Sequence, residues 1–593
     1  MKVKLRADAH CAPVARGVYW SRAGRSFVLS GPPALYALID DQLDALLEGT
    51  SVDAMVAAAG DEAARPVIEH VVRALVAQDV LIDLDAVKGP LPDPGDARAH
   101  AGLLAYLEAH CAEPYEAFAR VRAARVAVVG EGTAADAVRR GLAAGGITRE
   151  SDRPGLTVVV DDCDQPTDPD DGAVAPRPDA PVLPVAALAD LALVGPVCAT
   201  PGELRSFQAL RARAADWQRT GDEAPAARPV SAVLAGSLAA HAVLAHLTGT
   251  SEGRRTALVV HGHAAQTTTV PLPEADAGTP WRAVDPDQEP DLSEAEAETS
   301  DSDAGTGADA TTDAGLQQIH RRAAGLTARW TGIARWGRDL DLPQLPVSLV
   351  TAETVAAPGP STAPARDAFP AARGPHFLGW GDKRAAAGLT ATLAVLRHRV
   401  AQEHTPDDGP GLPAAGLTRA HWLVDGLLRH AACEALTRSP GTPLTWDELE
   451  SSTVRSLWSL LRDFFDLPVA LRTHAVPGLD WTLCTAVHAA TGEVLATQWG
   501  PSGLSAGYAA LLAATARAQF EAAEKTAPQA PVLPPDPVGT WSLEVAPDRQ
   551  IHGCLRQLRE RARADGLVPR ARRLVRDAAV GELPLACGLV WLG

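Results

Sequence analysis

Arg125-Val-Ala-Val-Val-Gly-Glu-Gly-Thr-Ala-Ala135 decides the fold class of the middle of this chain. A short apolar run, a glycine turn and an alanine-rich segment, in that order, read as a buried strand feeding a helix. Gly130, Gly132 and Ala135 stand in a Gly-x-Gly-x-x-Ala spacing. The glycines permit a tight turn, and the small third residue lets the helix pack on the strand. A second apolar strand at 156–160 ends in Asp161-Asp162, and a third apolar piece follows at 182–185. Strand and helix alternating at this interval predict a parallel, Rossmann-like sheet. Glu131 lies inside the turn, where its charge opposes a pyrophosphate, so the fingerprint reads as degenerate and no cofactor is expected. A dinucleotide-dependent oxidoreductase would rest on this turn alone.

Working outward, the N-terminal segment reads as two short β-prone pieces, 14–20 and 26–30, with Gly24 between them as a hairpin turn. Gly49 suits a helix end, and Ser51 suits the cap of the next helix. Val67, Ile68, Val71, Val72 and Leu75 repeat at helical spacing. Small strands with three helices predict a winged-helix-like module over 1–87. A Pro/Gly/Asp-rich stretch separates it from the Rossmann-like region at 97–281.

Eleven acidic residues fall between Asp285 and Asp313, with no Lys or Arg from 283 to 320, so 282–315 reads as a flexible acidic linker. Residues 316–593 form a further globular unit of mixed helix and strand. The whole is a multidomain α/β and α+β protein. A net charge of -19 argues against nucleic acid and anionic membranes as partners. Eight scattered cysteines without CxxC or CxC argue against a disulfide framework or a thiolate zinc site and fit a reducing cytoplasm. The first seventeen residues have no apolar signal-peptide core, and residues 230–247 read as a buried helix. Gly503-Leu-Ser-Ala-Gly507 has the spacing of a nucleophile elbow, but Gln498-Trp-Gly-Pro-Ser502 before it does not read as the required strand. His261 and His263 lack a suitably spaced third metal ligand. Arginines 556, 559, 561, 563, 570, 572, 573 and 576 read as a solvated or protein-docking face.

The order of these parts resembles the precursor-binding partners of YcaO cyclodehydratases, which build thiazole and oxazole rings in ribosomally made peptides. The N-terminal segment resembles the PqqD-like leader-recognition element. Arg125-Val-Ala-Val-Val-Gly130, Pro181-Val-Leu-Pro-Val185, Val194-Gly-Pro-Val-Cys-Ala-Thr-Pro-Gly202, Leu210-Arg-Ala-Arg213 and Asp216-Trp217 resemble the ThiF-like domain of those partners. Thr331-Gly-Ile-Ala334, Leu345-Pro-Val347, Ala415-Gly-Leu-Thr418 and Gly426-Leu-Leu428 resemble YcaO landmarks. The resemblance implies that the edge strand Ser26, Phe27, Val28, Leu29, Ser30, walled by Val67, Val71 and Leu75, takes the leader by strand addition.

Family members often carry two zinc-binding cysteine pairs. Here Glu203-Leu-Arg-Ser-Phe-Gln208 stands where the first would fall, so no metal is expected. Where active YcaO enzymes place magnesium- and ATP-holding glutamates, the alignment puts Val395, His398, Arg429, Ala432 and Arg517, and these cannot supply the oxygens magnesium needs. The resemblance therefore implies a cytoplasmic, non-catalytic partner of a separate YcaO cyclodehydratase. A flavin-dependent azoline dehydrogenase would be a further partner, and a homodimer is compatible with the reading. The alternative is a fused, active ATP-dependent cyclodehydratase with Glu403, Glu434, Glu448 or Glu521 as metal ligands.

Overall fold

The computed structural model describes residues 1–147, 154–162, 180–218, 228–251, 255–272, 281–286, 323–337, 342–355, 375–405, 409–446, 451–526, 538–575 and 585–593. The chain divides into two compact units. One comprises Met1–Leu204 with Ala226–Thr269, and the other Arg205–Pro225 with Val270–Gly593.

The first unit opens with two small antiparallel sheets. Strands β1 (Lys2–Leu5), β5 (Thr50–Ser51) and β6 (Leu81–Asp83) form one, and β2 (His10–Val14), β3 (Gly17–Arg22) and β4 (Arg25–Ser30) the other, in the order β2-β3-β4. Period-two alternation in β3 buries Val18 and Trp20 and sends Tyr19 outward. Helices α1 (Ala34–Asp40), α2 (Leu43–Glu48), α3 (Val52–Ala59) and α4 (Arg65–Ala77) cover the inner face. The Ser51 hydroxyl caps α3, accepting from Ala54 N–H at 3.1 Å. Ile68, Val71, Val72 and Leu75 form the buried stripe of α4.

This module is not a separate body. Lys4 pairs with Glu108 at 2.7 Å, Arg6 donates to the carbonyls of Glu108 and Cys111, and Arg22 donates to that of Ala109. Those partners lie on or beside α6 (Ala101–His110), between α5 (Pro94–Ala99) and α7 (Pro114–Ala123). A six-stranded sheet follows in the order β12-β11-β10-β9-β8-β7. Its strands are β7 (Val126–Val129), β8 (Leu156–Asp162), β9 (Val182–Leu188), β10 (Leu191–Val194), β11 (Thr256–His261) and β12 (Gln266–Pro271).

β7, β8 and β9 run parallel, whereas β9–β10 and β10–β11 are antiparallel, so the expected parallel sheet is corrected to a mixed one. Ala189 and Asp190 turn the chain straight from β9 into β10, leaving no room for a crossover helix, and the pair is antiparallel. Helices α8 (Thr133–Ala144) and α10 (Pro229–Thr248) pack on the sheet, while α9 (Pro201–Gln218) leads from the first unit into the second. α10 has the length and mean hydropathy, 1.7, to cross a membrane, yet its Gly236 lies against the Ala134 carbonyl of α8.

The second unit takes in Arg205–Pro225 and resumes at Val270, within the region expected at 97–281 and ahead of the expected linker at 282–315. β13 (Trp281–Val284) pairs with β22 (Pro569–Leu574), which pairs with β23 (Ala586–Leu592) and onward to β17 (Leu412–Gly416). The segment expected as linker thus begins as sheet, and its remainder, 287–315, lies outside the described residues. A second sheet joins β14 (Ala334–Trp336), β15 (Ser348–Thr354) and β16 (His376–Gly381). A third joins β18 (Thr442–Leu444), β19 (Val469–Ala475), β20 (Thr482–His488) and β21 (Val494–Gly500). Helices α11 (Arg384–Glu403), α12 (Arg419–Arg438), α13 (Ser452–Asp463), α14 (Gly503–Thr526), α15 (Trp541–Glu544) and α16 (Asp548–Ala564) complete it.

Candidate functional site

β4 is an edge strand. It pairs with β3 from Arg25↔Arg22 to Ser30↔Gly17, and among the described residues its other side has no strand neighbour. Phe27 and Leu29 point inward and are half-buried against the module core, whereas Ser26, Val28 and Ser30 face out. Val28 is 48% exposed and opposes Tyr19, itself exposed, so an apolar row crosses the outer face. An added strand would therefore meet backbone donors and acceptors together with apolar side chains on both faces.

The expected second wall is corrected. Val71 and Leu75 are buried at 6% and 1%, because they fill the space between α4 and the other helices. The gap lined by Ile68, Val71, Val72, Leu75 and neighbours holds about 10 Å³, too little for an inserted side chain. Val67, one position round the helix, is exposed.

At the glycine turn, Gly130 has φ +114°, and a Cβ there would lie 2.1 Å from the Val160 carbonyl oxygen. Close packing of β7 on β8 thus explains this glycine without a ligand. Arg139 of α8 donates to the Gly130 carbonyl at 2.9 Å and fastens the turn from within the protein. Gly132 caps α8 and Ala135 is buried against the sheet.

Thr200 and Glu203 form a reciprocal cap on α9: Glu203 N–H donates to Thr200 Oγ1, and Glu203 Oε2 accepts from the backbone N–H groups of Ala199 and Thr200. Burial, then the charge of Glu203, pushes the Cys198 thiol up to about 12, and Glu203 is already engaged in the helix cap. The donor set here does not fit zinc.

The second unit holds a buried polar cluster that sequence reasoning missed. Asp425 of α12, 1% exposed, accepts from Arg397 Nε at 2.9 Å, Arg429 Nε at 3.1 Å, Ala415 N–H at 3.0 Å and Thr540 Oγ1 at 2.8 Å. Burial alone would raise its pKa, but Arg397 and Arg429 more than offset this and hold the carboxyl below its ordinary value. Beside it, Glu544 of α15 is fully enclosed, and burial raises its pKa to about 8. Helical spacing shows that Arg397, Asp425 and Arg429 share core-facing stripes, but only the tertiary fold brings Thr540 and Glu544 to them.

Of the positions aligned with YcaO metal ligands, Arg429 belongs to this cluster through its bond to Asp425. Val395 and Ala432 are core. His398 lies 5.1 Å from the Phe377 ring. Arg429 serves Asp425, and Arg517 pairs with Glu493 and Glu521. Of the alternative ligands, Glu403 holds Arg399, Glu434 holds Arg438 and Arg561, and Glu448 lies outside the described residues. Among the described residues no three His, Cys, Asp or Glu side chains converge as a metal site.

The nucleophile-elbow reading is corrected in one respect: β21 does run directly into the turn before α14. Ser505 nevertheless bonds the capping Ser502, N–H to Oγ at 3.2 Å, and no histidine among the described residues bonds it. His263 is exposed beyond the end of β11.

No protein-family model matches the chain, and no curated protein does. Among solved structures, it is similar to a heterocyclase in complex with substrate and cofactor, at 13% identity and a TM-score of 0.52, over 100% of this chain and 94% of that one. The heterocyclase TruD follows at 13% identity and 0.44, with the same coverage. E. coli MccB with ATP aligns at 13% identity and 0.30, over 47% of this chain and 98% of that one. The first of these likenesses shows that the chain has a heterocyclase-like fold along its full length.

Proposed function

We propose that this chain captures the leader of a ribosomally made precursor peptide and presents it to a separate ATP-dependent YcaO cyclodehydratase in the cytoplasm, forming no ring itself. The observation that carries the reading is the open edge of β4, with half-buried Phe27 and Leu29 on one face and exposed Val28 on the other. An extended guest gains main-chain hydrogen bonds along such an edge and places alternate side chains on its two faces. Of the three expected wall residues of α4, Val67 remains available to a guest, while Val71 and Leu75 are core. Holding the leader raises the local concentration of the attached core peptide at the partner enzyme, which accelerates ring formation without chemistry in this chain.

The full-length likeness to a heterocyclase favours a second reading, a fused active enzyme. What supports the non-catalytic reading against it is that Glu403, Glu434 and Glu521 are each tied to arginines. One experiment separates them. The full chain is titrated with fluorescently labelled precursor leaders, and ATP consumption is followed with and without an added YcaO cyclodehydratase. The expected result is leader binding with no ATP turnover by this chain alone. Val28→Pro removes an edge-strand donor and should weaken binding about tenfold, while Val28→Thr should not. ATP turnover and ring formation by the isolated chain would reject the proposal, as would undiminished binding by the proline variant.

A further inference from the structure

The second unit carries a surface groove of roughly 480 Å³, lined by Trp446, Arg455, Ser456, Ser459, Leu460, Asp463 and Phe464. That volume lies within the range of small-ligand sites. Its floor is one face of α13, where the spacing Ser456, Ser459, Leu460 leaves a shallow channel between larger neighbours. Its two ends are aromatic. Trp446 is 38% exposed, and Phe464, the residue that ends α13, is 75% exposed. Phe464 makes an edge contact with Phe465 at 5.0 Å, which orients the exposed ring without covering it.

The charges of the groove are unequal. Asp463 is neutralised by its neighbour Arg462 through two hydrogen bonds, at 2.7 and 3.1 Å. Among the described residues no carboxylate pairs with Arg455. Its guanidinium lies over the Trp446 ring at 5.7 Å, and its Nε is buried without a hydrogen-bond partner. An arginine stacked on an aromatic face keeps its in-plane N–H groups free for a planar two-oxygen acceptor.

We infer that this groove binds an extended peptide segment carrying a carboxylate flanked by an apolar or aromatic side chain. The carboxylate pairs with Arg455, and the apolar side chain lies along Leu460 to Phe464. The site is on α13 and owes nothing to β4, so it stands whether or not β4 takes a leader.

The test uses the full chain and two fluorescein-labelled peptides, Gly-Phe-Asp-Leu-Gly and its Asn counterpart, followed by fluorescence anisotropy at low and high salt. The Asp peptide should bind about tenfold more tightly than the Asn peptide, as expected for a charge-assisted contact, and should weaken as salt rises. Arg455→Gln should abolish the difference. Phe464→Ser, which alters only an exposed ring, should weaken both peptides. Equal binding of the two peptides, or a preference that survives in Arg455→Gln, overturns the inference. So does concentration-dependent dimerisation that Phe464→Ser removes, since a second copy of the chain would then be the occupant.

Discussion

Glu544 is the residue whose surroundings say most about its protonation. Three oxygens stand near the single hydroxyl of Thr390: the Trp380 carbonyl at 3.1 Å, the Ala386 carbonyl at 3.0 Å and Glu544 Oε2 at 3.0 Å. One proton cannot serve all three acceptors. The conflict is relieved when Glu544 is protonated and donates to Thr390 Oγ1, which then donates to a carbonyl. This agrees with a pKa raised from 4.5 to about 8, chiefly by burial. Below pH 4.5 the group is neutral folded and unfolded, so it adds no pH dependence there. Between 4.5 and 8 the folded chain keeps a proton that the unfolded chain has released, so stability falls as pH rises. Each pKa unit of that window corresponds to about 1.4 kcal/mol. Glu544→Gln should flatten this decline and raise Tm at pH 9 relative to the parent. Parallel Tm profiles from pH 5 to pH 9 would refute the protonated assignment.

At the scale of elements, the α8–α10 contact shows what small residues accomplish. A Cβ on Gly236 would lie 2.4 Å from the Ala134 carbonyl oxygen, and one on Gly141 would lie 2.6 Å from Ala240 Cβ. The helices therefore approach to backbone contact, and an apolar helix that could cross a membrane is packed on a sheet layer instead. Gly236→Val forces the helices apart and should cost about 1–3 kcal/mol or more, read by urea denaturation. Gly553 of α16 has open space around its Cβ position, so Gly553→Ala should stabilise by up to about 1 kcal/mol through helix propensity. Similar destabilisation by both changes would show that glycine content, not close approach, sets the effect.

At the scale of the whole molecule, the chain path is less simple than its domain order. From Arg205 onward α9 belongs with the C-terminal unit, where Arg213 donates to the Thr331 carbonyl at 2.7 Å and Trp217 to that of Gly332 at 2.9 Å. Arg335 pairs with Glu353 through two 2.9 Å bonds and also donates to the Asp216 carbonyl. A fragment starting at Val270 loses these partners and should melt well below one that also contains 205–225, supplied as a peptide or a fusion. Equal melting temperatures, measured calorimetrically, would show α9 to be dispensable.

Local pattern alone determined the strand at 26–30 with Phe27 and Leu29 on one face, the Ser51 cap, the strand–glycine–helix unit at Val126–Ala144 and the helical period of α4. Each depends on neighbours a few residues away, where the periods 2.0 and 3.6 act directly. Tertiary structure alone decided that Val71 and Leu75 are core while Val67 is free, because both sets satisfy the same helical period. It also decided that β9 turns back into an antiparallel β10, that β13 joins a sheet completed some three hundred residues later, and that Thr540 and Glu544 close on Asp425. Those outcomes rest on pairings between distant segments, whose partners are chosen by packing and by the need to satisfy buried charge, and no local period encodes that choice.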